Sequence, residues 1–311
     1  MSLLPAALID GVMYAAWLFL VAVGLTLIYG VMKILNMAHG SLYTIGAYTA
    51  ITLVTQWLAG GSEPLEERLA VRPTSEPLFS YVLLIVAAVI TGVVLGIIIE
   101  YGLLRHFYRE EPVVLLLMTY AVFLILEDAV KLIWGVEPYV AYEPYGLLGN
   151  FTIGTLSYPN YSFVIVGAAI LSGVALALFL KFTRYGKLLR AVIHDQEVSK
   201  AIGINVQRYF LYTFIVGAML AALGGALTAP TISVAPGMGV DVIVLAFAVV
   251  VIGGLGSLPG AALGALIVGL VRSFAVHYWP EVELFSIYAV MAIVLAVRPK
   301  GLFAAAEPRK I

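Results

Sequence analysis

The chain has 311 residues, of which 62% are hydrophobic and only 11% charged, and its formal net charge at pH 7 is −1. A soluble domain has about a quarter charged residues, so the surplus of apolar side chains requires a lipid environment. The near-neutral charge argues against a nucleic-acid partner, which calls for a basic patch or stripe. The chain contains no cysteine, which excludes disulfides and thiolate metal sites.

Nine apolar segments follow one another along the chain, and each is a candidate membrane helix because roughly 20 helical residues cross a bilayer. The first run lacks a basic leader and a small-residue cleavage site, so we expect it to be a mature membrane helix. The seventh and ninth are short, so a half-helix or a merged pair would fit there. The segments cover residues 8–32, 41–58, 80–104, 113–134, 161–182, 210–230, 241–256, 260–279 and 284–298. We therefore expect an all-α integral membrane protein, a polytopic helix bundle with eight or nine transmembrane segments and broken helices, in a single domain over 1–311.

Lysine and arginine are distributed unevenly between alternate loops, and this bias sets the expected orientation. If the N-terminus is outside, one set of loops contains Lys33, Arg105, Arg109, Lys181, Arg184, Lys187, Arg190, Lys200, Arg208, Arg298, Lys300, Arg309 and Lys310. The opposite loops contain Arg68 and Arg72, while Lys131 and Arg272 fall within apolar runs. We therefore expect the C-terminus and the 183–209 loop to lie in the cytoplasm.

A polar cluster interrupts the apolar pattern after the first segment. It consists of Asn36, His39, Gly40 and Ser41. Unwound backbone at membrane depth is either buried in protein or lines a wet cavity, and a helix beginning near Gly40 would direct its positive end there. These four residues are therefore candidates for a substrate pathway. The alternative is a cytoplasmic turn in which Asn36 or Ser41 caps a helix.

A similar pattern of small residues recurs in the second half of the chain. Gly40-Ser41-Leu42 followed by Gly46-Ala47 resembles Gly256-Ser257-Leu258 followed by Gly264-Ala265. Glycine-interrupted helices at corresponding places in two halves point to a transport path. Gly253, Gly254 and Gly256 are thus further pathway candidates, although small residues also permit close packing between helices.

The 113–134 segment contains the charged residues Glu127, Asp128 and Lys131. On a helix, Lys131 is one turn from both acids. Charges inside a span are costly and count as functional candidates. We hypothesise that one carboxylate contacts a cationic group on the solute or stabilises a cavity. The alternative is that all three residues sit paired at the membrane interface.

Residues 183–209 form a long basic polar segment. Helix-like spacing of its apolar residues predicts a short amphipathic helix that Gly203 can end. The apolar residues are Leu188, Leu189, Val192, Ile193, Val198 and Ile202. Such a helix needs either a lipid surface or a soluble partner to cover its apolar face.

Four stretches together resemble the branched-chain amino-acid ABC transporter permeases, and Asn36-Met37-Ala38-His39-Gly40 is similar to the LivH type. The stretches are 24–40, 186–204, 251–260 and 298–303. The resemblance covers nearly the whole chain. It implies a pair of homologous permease subunits, two cytoplasmic ATP-binding subunits and a periplasmic solute-binding protein, all around a multi-pass chain in lipid of a bacterial inner membrane.

The resemblance also implies that the 183–209 loop couples this chain to the ATP-binding subunits. The residues expected to carry this coupling are Gly186, Arg190, Ala191, Asp195, Ala201 and Gly203. The chain itself has no G-x-x-x-x-G-K-[ST] phosphate loop, so hydrolysis is expected in a partner.

The predicted function is that of the permease subunit of an ATP-driven importer of small organic solutes, above all branched-chain or other hydrophobic amino acids. The alternative is a stand-alone ion-coupled secondary transporter or channel that uses Glu127 and Asp128. No enzyme activity, cofactor or metal site is predicted, because the four histidines lack metal-ligand spacing and there is no G-x-S-x-G motif.

Overall fold

A computed structural model describes residues 3–59, 77–140, 143–153 and 156–303. The predicted loop residues Arg68, Arg72, Arg309 and Lys310 lie outside these ranges. The described helices are α1 (Leu3–Met32), α2 (His39–Ala59), α3 (Pro77–Gly102), α4 (Pro112–Trp134), α5 (Glu143–Gly146), α6 (Asn160–Phe182), α7 (Arg184–His194), α8 (Gln196–Ala201), α9 (Val206–Thr228), α10 (Met238–Gly253), α11 (Leu258–Tyr278) and α12 (Glu283–Val297).

Each of the nine predicted segments corresponds to a separate helix, so the predicted polytopic bundle is confirmed. Seven of the described helices, the last one extended by its preceding 3₁₀ turn, are long and apolar enough to cross a membrane. The other two are α2, which is less apolar, and α10, which has 16 residues. A small antiparallel hairpin, β1 (Asn150–Ile153) with β2 (Leu156–Pro159), precedes α6 and was not predicted.

Several pairs of packed long helices are antiparallel, and the basic loops lie at one end of the bundle. Gly11 of α1, for example, lies against Leu270 of α11, while Gly30 lies against Gly256, two residues before α11 begins, so α1 and α11 are antiparallel. The end of the bundle that contains Gly30 and Gly256 is called the basic end. Its lysines and arginines are Lys33, Arg105, Arg109, Lys181, Arg184, Lys187, Arg190, Lys200, Arg208, Arg298 and Lys300.

Helix α1 lies at the centre of the bundle and packs against α6, α9, α10 and α11. Glycines permit its closest crossing with α9, because a Cβ on Gly24 would lie 2.5 Å from the carbonyl oxygen of Gly217. The crossing of α2 with α9 is equally close, since a Cβ on Gly46 would lie 2.5 Å from the Cα of Ala222. Small residues let transmembrane backbones approach in this way.

The segment that follows α12 folds back onto the end of α10. The N–H groups of Leu302 and Phe303 donate to the carbonyls of Ile252 and Gly253, at 3.0 and 2.8 Å. These bonds satisfy carbonyl groups that a helix end leaves without an intrahelical partner. The C-terminal motif at 298–303 therefore has a structural role in closing α10.

We predict that Gly225→Ala destabilises the protein. The added Cβ would overlap the carbonyl oxygen of Tyr43 in α2, so the two helices would have to separate. Overpacking of this kind costs about 1–3 kcal/mol, and it should lower the thermal unfolding midpoint in detergent. Gly167→Ala is the matched control, because nothing lies within 4 Å of its Cβ position. Equal midpoints for the two variants would contradict the prediction.

Candidate functional site

The predicted break between the first two helices lies inside the bundle. Helix α1 ends at Met32, but α2 begins at His39 beside Val21 and Gly24, two to three turns earlier along α1. The non-helical residues 33–38 therefore turn back along α1 before α2 starts. A simple turn at the bundle end, the alternative given by the sequence, would not place His39 there.

One face of α4 holds the returning segment in place. The hydroxyl of Thr119 accepts a hydrogen bond from the N–H of Met37 (3.2 Å) and lies 3.1 Å from the carbonyl oxygen of Leu35. One turn further along α4, the hydroxyl of Ser41 donates to the carbonyl of Phe123 (3.2 Å). Both contacts are long-range, so α4 fixes the depth of the break.

The same face of α4 reaches the beginning of α10. The carboxylate of Glu127 accepts a hydrogen bond from the N–H of Gly237 at 2.9 Å. Gly40, in the first turn of α2, packs so closely on Gly239 that a Cβ would overlap the Gly239 carbonyl oxygen. Two helix N-termini, those of α2 and α10, therefore meet in the interior, and both supply partial positive charge there.

Several polar atoms of α1, α2, α4 and the returning segment are buried without a hydrogen-bond partner among the described residues. They are both side-chain polar atoms of Asn36, Nδ1 of His39, Oγ1 of Thr26, Oε1 of Glu127 and the hydroxyl of Tyr48. The Nε2 of His39 lies 2.9 Å from the carbonyl of Val21, so this nitrogen carries the proton and Nδ1 is an acceptor. Buried polar groups are normally paired, and such a concentration is typical of a site that holds water or a ligand.

The two neighbouring acids of α4 lie in different environments. Glu127 is 6% exposed and faces α10. Asp128 bonds to Lys131 at 2.9 Å, and both side chains are well exposed, at 72% and 46%. The structure therefore brings Glu127 to the break together with Asn36, His39, Gly40 and Ser41, and leaves Asp128 on the outside of the bundle.

The second glycine cluster is not part of this site. Gly253 packs against Gly260 of α11, and a Cβ on Gly256 would lie 2.9 Å from the Cα of Gly30. Gly254 and Gly256 have φ values of 107° and 80°, which glycine adopts without strain. All three residues lie at the basic end, where close packing accounts for their presence.

The 183–209 segment forms two short helices rather than the one that was predicted. Asp195 ends α7 and begins α8, because its carboxylate accepts hydrogen bonds from the N–H groups of Glu197 and Val198, each at 2.9 Å. Gly203, with a φ of 89°, follows α8 as expected. Four of the predicted coupling residues are exposed to solvent, namely Arg190, Asp195, Ala201 and Gly203.

The other two predicted coupling residues are less accessible. Gly186 is buried, since a Cβ there would lie 2.6 Å from the Cα of Leu180 in α6, and Ala191 is partly buried. The apolar side of α7 is also covered by this chain, because Leu189 and Val192 are buried in a cluster with the end of α1. Exposed apolar side chains remain on the outer side: Tyr185, Leu188, Val198 and Ile202.

A polar clasp joins the turn after α3 to the start of α9, next to α7. Glu100 is 1% exposed and accepts a hydrogen bond from the hydroxyl of Tyr108, whose ring packs edge-on against Phe210 with centroids 5.0 Å apart. Arg105 donates to the side chain of Gln207 at 2.9 Å. The clasp holds α3 and α9 together next to the α7–α8 segment.

The sequence reasoning missed four contributors to the interior site: Tyr48, Thr119, Gly237 and Gly239. Thr119 and Tyr48 have no local sequence signal, because Thr119 bonds to residues far along the chain and the ring of Tyr48 packs against distant rings. A signal for the two glycines was present, since Pro236-Gly237 and Gly239 separate two apolar runs. Glycine and proline so placed mark a break.

This architecture defines a multi-pass membrane protein with a polar break at the centre of its helix bundle, the arrangement of a solute permease. A sequence model described as "Branched-chain amino acid transport system / permease component" matches residues 7–295. The chain belongs to this family.

Curated relatives of similar length have names that match this family description. BraD of Pseudomonas aeruginosa, named a high-affinity branched-chain amino acid transport system permease protein, is 28% identical over 98% of this chain and 97% of its own. LivH of Salmonella typhimurium, which has the same description, is 27% identical over 97% of this chain and 96% of its own. Among solved structures, PsaBC from Streptococcus pneumoniae in complex with Fab aligns over 94% of this chain and 90% of its own, with 11% identity and a TM-score of 0.48.

We predict that Thr119→Val destabilises the returning segment. Valine has nearly the same shape, but it leaves the N–H of Met37 and the carbonyl of Leu35 without this partner, and each unpaired buried group costs about 1–3 kcal/mol. The expected result is a lower unfolding midpoint in detergent. Thr55→Val is the matched control, because the hydroxyl of Thr55 bonds only within its own helix, to the carbonyl of Ile51. A Thr119→Val midpoint as high as that of the control would contradict the assigned role.

Proposed function

We propose that this chain is the membrane-spanning permease subunit of an ATP-driven importer of branched-chain or other hydrophobic amino acids. Membership of the permease family over residues 7–295 carries the proposal. The relatives named as branched-chain amino acid permeases match nearly the full chain, which supports a solute of the same class.

The proposed orientation places the basic end in the cytoplasm of a bacterial cell, with the chain in the inner membrane. Lysine and arginine are enriched in cytoplasmic loops of membrane proteins. Among the described residues, Lys131 and Arg272 are the lysine and arginine away from the basic end, and both are paired with acids, namely Asp128 and Glu283. Such pairing reduces the cost of a charge near the apolar region.

The proposed pathway follows the interior site along α4, from the level of Glu127 to that of Thr119. Asn36, His39 and the first turn of α2 line the deeper part. These residues are buried here, which corresponds to a closed pathway. Separation of α2 from α4 or α10 would open it, because each of these contacts consists of few hydrogen bonds and close glycine packing.

The proposed coupling element is the α7–α8 segment. Its exposed apolar side chains, with Arg190 and Asp195 beside them, form a surface suited to a groove on a cytoplasmic ATP-binding subunit. A second homologous permease subunit, a second ATP-binding subunit and a periplasmic solute-binding protein complete the proposed complex. Hydrolysis belongs to the ATP-binding subunits.

The buried side of α7 provides a continuous packed route to the interior break. Leu189 and Val192 of α7 belong to the same hydrophobic cluster as Val31 at the end of α1 and Leu42 in α2. A displacement of α7 by its partner therefore presses directly on the elements that flank the break.

The decisive experiment is a mild-detergent purification of the tagged chain from native membranes, with mass spectrometry of the retained proteins. We expect ATP-binding subunits and a second permease. Recovery of this chain alone, together with solute flux in ATP-free liposomes driven by an ion gradient, would contradict the proposal and favour an ion-coupled transporter.

We further predict that Ile202→Glu lowers recovery of the ATP-binding subunits. Ile202 is 70% exposed, so the change introduces a charge on the proposed docking surface without disturbing the interior. Loss of one buried isoleucine contact weakens binding by about 1.5–3 kcal/mol, or more than tenfold. Ile202→Val retains the apolar character and should retain the partner. Full recovery with Ile202→Glu would place the docking surface elsewhere.

A further inference from the structure

A carboxylate is buried where α4 meets the beginning of α10, and one of its two oxygens has no hydrogen bond among the described residues. Oε2 of Glu127 accepts one hydrogen bond, from the N–H of Gly237, while Oε1 has no partner in the described part of the chain. A buried carboxylate is costly unless it is paired and fully hydrogen-bonded. The remaining oxygen is thus available to a cationic donor.

The neighbouring lysine does not supply that donor. The ammonium group of Lys131 bonds to Asp128 at 2.9 Å, on the exposed side of α4. The N–H of Gly237, at the start of α10, already bonds to Oε2. Oε1 is buried and has no partner among the described residues.

A second polar atom without a partner lies close by. The hydroxyl of Tyr48 is buried and finds no hydrogen bond among the described residues. The Tyr48 side chain packs in one cluster with Val130, one turn along α4 from Glu127, and with Met238, which follows the Gly237 that bonds to Glu127. The ring of Tyr48 packs against those of Trp134 and Tyr139, with centroids 5.2 and 5.8 Å apart. The three rings form an aromatic cluster at the end of α4, about two turns beyond Glu127. Aromatic faces attract organic cations.

We propose that Glu127 and Tyr48 form a subsite for the ammonium group of the transported amino acid, an inference that rests on the proposed function. An ammonium group has three donors, and Oε1 of Glu127 and the hydroxyl oxygen of Tyr48 are two unused acceptors. A hydrogen bond between an ammonium and a carboxylate is roughly twice as strong as one between neutral groups. The subsite would thus select for solutes that carry a positive charge beside an apolar side chain.

The deeper polar cluster at Asn36 is separate from the proposed Glu127–Tyr48 subsite. Thr119, which holds the residues around Asn36, is eight residues from Glu127, or about 12 Å along the helix. This distance exceeds the separation of the ammonium and carboxylate groups within one amino acid. The solute therefore occupies the Glu127 subsite before or after it reaches Asn36, and does not bridge the two.

The test measures labelled leucine imported per ATP hydrolysed, with the purified complex and its solute-binding protein in proteoliposomes. Glu127→Gln retains an acceptor for the Gly237 N–H but removes the charge, and it should lower this ratio by at least about tenfold. Tyr48→Phe removes one hydroxyl, and it should lower the ratio by about fivefold. Asp128→Asn removes the same charge from the exposed neighbour and should stay within twofold of the unmodified complex.

Tyr48→Phe separates a ligand role from a structural one. Because its hydroxyl has no partner, a structural role predicts unchanged transport and unchanged or higher thermal stability. An unchanged ratio in either Tyr48→Phe or an assembled Glu127→Gln complex would overturn the subsite. If Glu127→Gln does not assemble, Tyr48→Phe decides.

Two further outcomes concern an inorganic cation at Glu127 and the proposed function itself. A sodium requirement of leucine import that Glu127→Gln abolishes would overturn the assignment, because the carboxylate would then hold an inorganic cation. If the unmodified complex imports no branched-chain amino acid with ATP, the proposed function fails and the subsite fails with it. Normal import by the unmodified complex and by both variants refutes the subsite alone.

Discussion

The close contact of α9 with α1 and α2 determines where the other helices of the bundle can lie. At Gly24 and Gly217, and again at Gly46 and Ala222, there is no room for a larger side chain between the backbones. Within a bilayer, apolar side chains gain little by leaving lipid, so van der Waals contact at such crossings holds the helices together. With α9 this close to both helices, α2 can begin beside the middle of α1.

A helix that begins inside a bundle carries its unpaired N–H groups into an apolar environment. The structure contains two such beginnings, those of α2 and α10, which are in contact through Gly40 and Gly239. At α10 the carboxylate of Glu127 satisfies one donor, while at α2 the hydroxyl of Ser41 fastens the first turn to α4. The polar atoms without partners follow from this arrangement, because burying helix ends requires polar residues nearby. The interior site is therefore a consequence of the fold rather than an addition to it.

Much of the architecture could be predicted from hydropathy, because an apolar run of about 20 residues has few alternatives to a membrane helix. The break at Asn36–Ser41 was also visible, but its depth was not, since a turn at the bundle end and a returning segment have the same local sequence. The long-range contacts to Thr119 decide between them. Periodicity could not separate Glu127 from Asp128 either, because α4 has apolar residues on all sides and neighbouring positions differ by only 100° around the helix.

The packing of the basic end connects the surface proposed for the ATP-binding subunit to the interior. The 183–209 segment forms two helices because Asp195 serves both as the end of α7 and as the cap of α8. The two helices therefore have different environments. Helix α7 buries Leu189 and Val192 against the end of α1, while α8 leaves Val198 exposed. A partner that binds the exposed side of α8 can therefore move α7 without contacting the buried residues of the bundle. Because the bundle is close-packed, such a movement is transmitted to the contacts that flank the break and not absorbed locally.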